Sequence, residues 1–270
     1  MPFILEKMQS RVADLTQYFF PHNPTVLLNN FLEHEICIQH TGAFFCIQCH
    51  KSIKKTFQQG YCYPCFSKLQ ECNLCIIHPE RCRVMENGCP KDDWAHKQCH
   101  AEHVVYLSYT SNLKVGITQC KNIPSRWVDQ GAVTATAFIL TSNRFLAGQV
   151  EVALKNYVLD KTNWRTMLKE SPEPPDLIAQ WDKIMVEFKD PLSALIKRYG
   201  EENISLIPKP STQFIQYPVN KYPSKLVSLS LDKTPTVRGK LVGIKGQYLY
   251  FPEGVMNVRK FGGYEVSFEP

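Results

Sequence analysis

Cysteines at ligand spacing are the residues of this chain best suited to do chemistry. Two residues separate Cys46 from Cys49 and Cys62 from Cys65, and twelve residues lie between the two pairs. Such pairs can place four thiolates at the corners of a tetrahedron, which is the geometry of a closed structural zinc site. The spacing therefore predicts one zinc ion bound by these four cysteines. The alternative is a chance spacing of buried thiols.

A second group of cysteines follows directly along the chain. Cys72 and Cys75 repeat the two-residue spacing, and Cys82, Cys89 and Cys99 come after them. Five thiols exceed the four that a structural zinc needs, so we expect a second zinc at the first two with two of the other three. The spacing does not determine which two. Histidines that could each replace a cysteine are His78, His96, His100 and His103.

Lysines and a phenylalanine lie between the first two cysteine pairs. They are Lys51, Lys54, Lys55 and Phe57. Lysines can contact a phosphate backbone and an aromatic ring can stack on a base, so this segment is a candidate nucleic-acid contact. A solvated turn is an equally good interpretation of the same residues.

One carboxylate occupies an otherwise apolar helix face. The residues from about 144 to 159 follow a helical pattern, in which Ala147, Glu151 and Leu154 share a face at 3.6 residues per turn. An isolated buried carboxylate is unfavourable, so Glu151 needs a metal ion or a cation as its partner. Arg126 is the nearest candidate in sequence order. The alternatives are a position at the rim of the core or a purely structural ion pair.

The elements around these residues follow a regular order. β-Branched and aromatic residues predict a strand over 104–108, and the segment LKVGIT predicts a second strand that completes a hairpin. A short helix containing Arg126 is predicted over 123–130. The strand AVTATAFIL comes next, followed by the helix that contains Glu151.

This order of elements resembles the GIY-YIG nuclease superfamily over roughly residues 104–165. The segment VVY places Tyr106 at the family's first signature tyrosine, and KVG, residues 114–116, lies at its second signature. Arg126 stands ten positions after Gly116, as the family's arginine does, and Glu151 lies at the metal-ligand position. The segment TNW offers Asn163 for the asparagine that often ends the module.

Two positions depart from that family's pattern. Val104 stands in place of the first glycine, and Lys114 stands where the second tyrosine usually lies. In having a lysine at this position, the chain resembles a phage-associated subgroup of the superfamily. The resemblance therefore implies an altered site.

The resemblance implies a small α/β domain that cleaves phosphodiesters with Mg²⁺. Such a site needs a base for water, a cation on the transferring phosphoryl group and a stabiliser for the leaving oxygen. By resemblance Tyr106 is the base, Arg126 contacts the scissile phosphate and Glu151 binds one Mg²⁺. Lys114, if it lies close to Tyr106, is expected to lower the pKa of the phenol.

Three more residues complete the candidate site. Asn163 and Lys161 are expected to support the site or to bind the nucleic-acid backbone. Arg144 stands beside the N-terminus of the helix that contains Glu151, which makes it a candidate phosphate contact.

The chain also resembles, over its whole length, a bacterial family known only as a domain of unknown function. The matching segments are GYCYPCF, LKVGIT, RWVDQGA, DKTNWR and GIKGQYL. This resemblance shows which segments of the chain correspond to those of the family, and it implies no activity.

Composition and charge limit the class of protein. The chain has 270 residues, of which 44% are hydrophobic and 21% charged, as in globular proteins. No apolar run approaches the roughly 20 residues that span a bilayer, and the N-terminus does not follow a signal-peptide pattern. We therefore expect a cytoplasmic protein without a membrane partner. A net charge of +6 favours a nucleic-acid partner, DNA or RNA, although scattered solvated charge is an alternative.

These patterns predict an α+β chain in several parts. A GIY-YIG-like domain and a zinc-ribbon-type module are expected, together with a β-rich domain formed by the two chain ends. Asp190 and Pro191 predict the start of a second helix inside the helical segment. The predicted boundaries are 1–45 and 205–270 for the β-rich domain, 46–103 for the double zinc module, 104–170 for the GIY-YIG-like domain and 171–204 for the helical segment.

The expected function is that of a zinc-containing, nucleic-acid-binding protein that acts as a Mg²⁺-dependent endonuclease. A non-catalytic module that binds nucleic acid or protein and keeps the fold without activity is the alternative.

Overall fold

The computed structural model describes residues 1–84, 93–158, 163–170, 173–223 and 226–270, in which helices and strands are mixed. The strands are β1 Phe3–Ile4, β2 Gln9–Arg11, β3 Gln17–Phe20, β4 Asn23–Leu27, β5 Glu35–Phe45, β6 Ser52–Ile53, β7 His103–Tyr109, β8 Leu113–Gln119, β9 Thr134–Thr141, β10 Ile204–Leu206, β11 Gln213–Phe214, β12 Ser228–Leu229, β13 Thr236–Lys240, β14 Gly243–Lys245, β15 Tyr248–Phe251, β16 Gly254–Asn257 and β17 Tyr264–Glu269. The helices are α1 Tyr63–Lys68, α2 Leu74–Ile77, α3 Asp93–Gln98, α4 Ser125–Asp129, α5 Arg144–Leu154, α6 Trp164–Met167 and α7 Leu177–Tyr199.

Strands from both ends of the chain pair in one sheet. Its order is β1-β17-β5-β13, all antiparallel, and β6 pairs with the end of β5. Phe3 lies opposite Val266, and Ile38 lies opposite Val237. The β-branched residues of these pairs are buried and form part of the core. Because β5 ends one residue before Cys46, this sheet also fixes the start of the first cysteine pair.

A second sheet has the order β10-β9-β7-β8, and β11 also pairs with β9. The hairpin of β7 and β8 confirms the two strands predicted from the sequence. Side chains alternate between the two faces of a strand. Val104 and Tyr106 of β7 accordingly pack into the core beside the chain-end sheet, while Val105 and Leu107 pack into a second core that α5 and α7 also line. Both faces of this sheet are therefore covered.

The C-terminal segment GIKGQYL forms the hairpin of β14 and β15. Gly246 has a φ of +61°, in the left-handed region that favours glycine at such a turn. The side chain of Gln247 accepts from the backbone N–H of Met8 at 2.7 Å and donates to the backbone oxygen of the same residue at 3.0 Å. It also donates to Asp129 at 2.9 Å. The hairpin thereby connects the N-terminal segment to α4.

Helix α7 is one continuous helix, so the prediction of a second helix starting at Asp190 and Pro191 is wrong. Its first turn is capped by Asp176, whose side chain accepts from two backbone N–H groups. Proline normally disrupts a helix interior because it lacks an N–H and crowds the preceding turn. Buried Trp181, Phe188 and Leu192 continue one apolar stripe across the proline, and this packing holds the helix together. Of the helices that the structure describes, none combines the length and the apolarity that crossing a membrane requires.

Candidate functional site

A cavity of about 770 Å³ lies between β8, α4, α5, the cysteine-rich segment and both ends of the chain. Charged and polar side chains dominate its lining. The cationic residues in the described lining are Lys7, Lys114, Arg126, Arg144, Lys155 and Arg259, and the carboxylates are Glu6, Glu71 and Glu151. Because the cations outnumber the carboxylates among these residues, the cavity favours an anionic ligand.

Three of the predicted catalytic residues line this cavity from three different elements. Lys114 comes from β8, Arg126 from α4 and Glu151 from α5. Elements far apart in the sequence thus bring a lysine, an arginine and a glutamate to one concave surface. The hairpin register pairs Lys114 with Ser108 and Gly116 with Tyr106. Lys114 therefore lies two residues from Gly116, on the same face of the sheet.

Tyr106 lies beneath the cavity wall. Its side chain is 1% exposed, and its hydroxyl donates to the side-chain oxygen of Gln130 at 2.8 Å. The ring packs against Gly116, where a Cβ atom would come within 2.6 Å of the phenol oxygen. Only glycine leaves room for the tyrosine ring to lie this close to the backbone of β8. Gly116 itself lines the cavity, so the tyrosine supports that wall from behind.

Burial determines the acidity of Tyr106. Desolvation raises the pKa of this phenol above its ordinary value of 10.0, and the nearby Arg126 guanidinium opposes that rise only in part. The expectation that Lys114 gives this phenol a lowered pKa is therefore wrong. The physical reason is that ionising a phenol in this buried position would carry a large desolvation cost.

Glu151 has a partner that sequence reasoning did not name, although a glutamate and a lysine four residues apart commonly pair on a helix. Its carboxylate forms an ion pair of 3.8 Å with Lys155, one turn further along the chain, and its side chain is 12% exposed. Ala147 and Leu154 on the same face are buried, as predicted. The carboxylate therefore lies at the border between the apolar core and the cavity, where it can reach a ligand.

Arg144 begins α5 and also lines the cavity. Its guanidinium donates to the backbone oxygen of Ile76 at 2.5 Å, and its buried Nε has no hydrogen-bond partner among the described atoms. Burial lowers the pKa of this arginine, while the thiols of Cys99 and Cys75 act in the opposite direction. The contact with Ile76 ties the cysteine-rich segment to the helix that contains Glu151.

The last two predicted residues have different outcomes. Asn163 caps α6, where its side chain accepts from the backbone N–H of Arg165 at 3.0 Å, and it is not among the described residues of the cavity lining. Lys161 lies outside the residues that the structure describes.

Sequence reasoning did not place Gln130 or Arg259 at this site. Gln130 follows Arg126 by four residues, a spacing that places both on one face of a short helix, so this signal was present in the sequence. Arg259 comes from the C-terminal region and binds Gln59 of the cysteine-rich segment through a hydrogen bond of 2.7 Å. No local pattern could reveal a contact across such a sequence separation.

The first four cysteines come together as predicted. The sulfur atoms of four cysteines all lie within 4.8 Å of one another: Cys46, Cys49, Cys62 and Cys65. The sulfur atoms of Cys49 and Cys62 are 3.8 Å apart. A tetrahedral zinc with bonds of about 2.3 Å requires sulfur atoms about 3.8 Å apart, so the four residues fit such an ion.

Local structure presents these thiols. Cys46 follows β5, and the backbone N–H of His50 returns to its oxygen at 2.9 Å to form a tight turn. Cys62 caps α1 by accepting from the backbone N–H of Cys65 at 3.4 Å. Burial alone would raise the pKa of Cys46, but hydrogen bonds from neighbouring backbone groups lower it to about 6. Cys46 therefore forms a thiolate readily, which is the form that binds metal, whereas hydrogen bonding with Cys62 raises the pKa of Cys65 to about 12.

The described members of the second predicted cysteine group do not converge in the same way. Among the described residues, the Cys46 group is the one whose ligand atoms converge in this manner. Burial raises the pKa of Cys72, and the charge of Cys46 contributes, which places this residue beside the first group. Cys75 instead lies near Cys82 and Arg144. Cys89 lies outside the described residues.

Comparison with known proteins gives a family and no activity. One family model matches residues 33–266 and is described as a protein of unknown function, DUF2797. No curated protein matches the chain significantly, and neither does any solved structure. Because the match extends over most of the sequence, this chain belongs to the DUF2797 family.

Proposed function

We propose that this chain binds nucleic acid in the cavity and hydrolyses a phosphodiester bond there. One observation supports the proposal above the others. Lys114, Arg126 and Glu151 line the same cavity from three separate elements, in the combination of cations and a carboxylate that phosphodiester cleavage uses.

Each of these residues has a role that its charge permits. Arg126 and Lys114 neutralise the phosphate whose bond is broken, and a guanidinium can bind two phosphate oxygens at once. Glu151 is the proposed ligand for Mg²⁺, which commonly binds proteins through one or two carboxylates and retains several waters. When bound, this ion stabilises charge on the leaving oxygen. Arg144 adds a further positive charge beside the same carboxylate.

Tyr106 has a positioning role in this proposal. A base must give up its own proton readily near neutral pH, and burial acts against this for Tyr106. Its hydroxyl instead holds Gln130 and its ring supports Gly116, and both of these residues line the cavity. The tyrosine thereby fixes the wall from which Arg126 projects.

A second candidate function is nucleic-acid binding without cleavage. The ion pair between Glu151 and Lys155 favours it, because a carboxylate neutralised by a lysine binds a metal ion less strongly. The raised pKa of Tyr106 favours it as well. Both functions require the cationic cavity, and they differ only in the chemical step.

The proposal also includes two structural zinc ions. The first is assigned to the four converging cysteines. Support for the second is that Cys75 and Cys99 both lie close enough to Arg144 to affect the pKa of that arginine, and that Cys82 lies near Cys75.

Substitution of Glu151 separates cleavage from binding. We expect Glu151→Gln to reduce Mg²⁺-dependent cleavage roughly 100-fold or more, because an ion at the transferring phosphoryl group is worth several kcal/mol. Binding should persist or tighten, since a negative charge is removed. The measurement is product formation from labelled duplex, branched and single-stranded DNA and RNA, with Mg²⁺ and with a chelator.

The matched control is Glu187→Gln, an exposed carboxylate on α7. It should cleave like the wild type. Equal cleavage by the wild type and Glu151→Gln would remove this residue from the mechanism. If all three proteins bind nucleic acid but none of them cleaves it, the second candidate function is established instead.

A further inference from the structure

Three aromatic rings form a surface on the cysteine-rich segment, which we call the aromatic platform. Phe57 stacks on Phe66 with ring centroids 6.0 Å apart, and Tyr63 packs edge-on against Phe57 at 5.4 Å. Tyr63 projects furthest into solvent, with 61% of its surface exposed. It stands between two cysteines of the metal cluster, at the start of α1, so a bound metal would hold it rigidly.

The segment that forms the platform contains lysines and no carboxylates. Residues 46–70 contain no aspartate and no glutamate, and their lysines are Lys51, Lys54, Lys55 and Lys68. All four lysines are exposed. The ammonium of Lys55 lies 5.1 Å from the ring centre of Phe57, over its face. An exposed aromatic surface on a segment whose charged side chains are all lysines is complementary to a ligand that has both flat bases and phosphates.

A short loop connects the platform to the cavity. Phe57 and Tyr61 exchange two backbone hydrogen bonds, of 2.7 and 2.9 Å, that close this loop. Phe57 belongs to the platform, whereas Gln58, Gln59 and Tyr61 line the cavity. The hydrogen bond of Gln59 to Arg259 fixes the loop against the cavity wall. A ligand bound on the platform therefore lies at the border of the cavity.

We propose that a single-stranded segment of nucleic acid stacks a base on Tyr63 and passes from the platform into the cavity. Unpaired bases offer faces for stacking, whereas the bases of a duplex are already stacked on each other. Lys54 and Lys55 contact the phosphates beside the stacked base. The inference rests on the proposed function for the cavity, because the same strand supplies the phosphodiester that enters it.

The test compares two oligomers of about 15 units, near the upper end of the site sizes known for single strands. One is a labelled single-stranded DNA and the other is an abasic deoxyribose-phosphate chain of equal charge. Fluorescence anisotropy measures the affinity of the full chain for each. We expect Tyr63→Ala to weaken binding of the DNA roughly 5- to 100-fold and to leave abasic binding unchanged.

Two further variants keep the comparison interpretable. Tyr63→Leu preserves apolar contacts with Phe57 and should fold even if the alanine variant does not, and it should lose most of the same affinity. Phe214→Ala removes an aromatic ring of similar exposure, 66%, on the distant strand β11 and should bind like the wild type. Zinc content and circular dichroism confirm that each variant is folded.

The outcomes distinguish the two proposals. Equal affinity of the wild type and both Tyr63 variants for the DNA would overturn the platform, as would equal binding of DNA and abasic chain by the wild type. Displacement of the DNA by polyglutamate at the same charge concentration would overturn it in favour of an acidic polypeptide. If binding depends on Tyr63 but no cleavage is detected, the platform is supported as a binding site and the proposed nuclease activity is contradicted.

Discussion

At the scale of single residues, burial decides how polar side chains behave in this chain. Lys245 is fully buried in β14, with its ammonium 5.4 Å from the ring centre of Tyr217 and 6.0 Å from that of Tyr222. Desolvation lowers the pKa of Lys245 from 10.5 to about 8. The change in pKa corresponds to a cost of roughly 3 kcal/mol in the free energy of unfolding when the lysine is charged. Attraction between the ammonium and the two rings offsets part of this cost.

The linked prediction concerns stability as a function of pH. The unfolded chain binds more protons than the folded chain between about 8 and 10.5, so this lysine makes stability rise with pH across that interval. Below about 8 the full penalty is present. We therefore expect Lys245→Met to be more stable than the wild type at pH 7, by about 3 kcal/mol at most, with the difference vanishing towards pH 10.5.

Urea denaturation of both proteins at several pH values, under reducing conditions, measures this difference. Lys183→Met, at an exposed position of α7, is the control and should show little change. A Lys245→Met variant that is less stable at pH 7, with a deficit that does not depend on pH, would show that the contacts of the lysine outweigh its desolvation.

Tyr106 illustrates what can be predicted for a single residue. The roles expected for Tyr106 and Arg126 required the two side chains to lie close together, and they do. The burial of Tyr106 could not be predicted, because the residues that cover it belong to the core shared with the chain-end sheet. The direction of its pKa shift follows from that core and not from the neighbouring sequence.

At the scale of elements, the cysteine turns act as the folding determinant of their segment. Residues 46–69 contain only the two-residue strand β6 and the one helix α1, with little buried apolar surface. We expect such a segment to depend on a metal ion for its stability, since structural zinc supplies on the order of 10 kcal/mol in small zinc peptides.

Loss of the metal should therefore disturb more than its ligands. We expect Cys49→Ser, or treatment with a strong chelator, to lower the melting temperature and to weaken nucleic-acid binding, because this segment forms one wall of the cavity. Metal analysis and thermal melting measure the effect. Cys120→Ser, outside the cluster, should retain zinc and stability. A Cys49→Ser variant with unchanged zinc content would contradict the assignment.

Elements were predictable where a local pattern was sufficient. β-Branched and aromatic residues indicated β7, and the segment LKVGIT indicated β8, which pairs with it as a hairpin. Helix α7 was predicted in two pieces because Pro191 is a strong local signal, whereas the packing that overrides it comes from other elements. Local propensity loses to tertiary burial in such cases.

At the scale of the whole molecule, the cavity is a product of the chain closing on itself. Lys7 reaches it from the N-terminal segment and Arg259 from the C-terminal one, and β1 and β17 pair directly. Sequence reasoning located the central residues Arg126 and Glu151, whose elements are close together along the chain. It could not assign the residues from the two ends, because no local pattern records how distant segments meet.

The central claim is that this cavity holds nucleic-acid phosphate, and one titration tests it most directly. Labelled single-stranded and duplex nucleic acid are titrated with the wild type, with Arg126→Gln and with Arg198→Gln, at two salt concentrations. Arg198 is exposed at the end of α7, so its variant loses the same charge away from the cavity.

We predict that the wild type binds with an affinity that falls steeply with salt, and that Arg126→Gln binds roughly tenfold more weakly. Its dependence of log affinity on log salt should also be shallower by about 0.7 to 0.9, as expected for one lost phosphate contact. Arg198→Gln should resemble the wild type. Absence of binding at low salt, or identical affinities and salt slopes for the two arginine variants, would contradict the proposed role of the cavity.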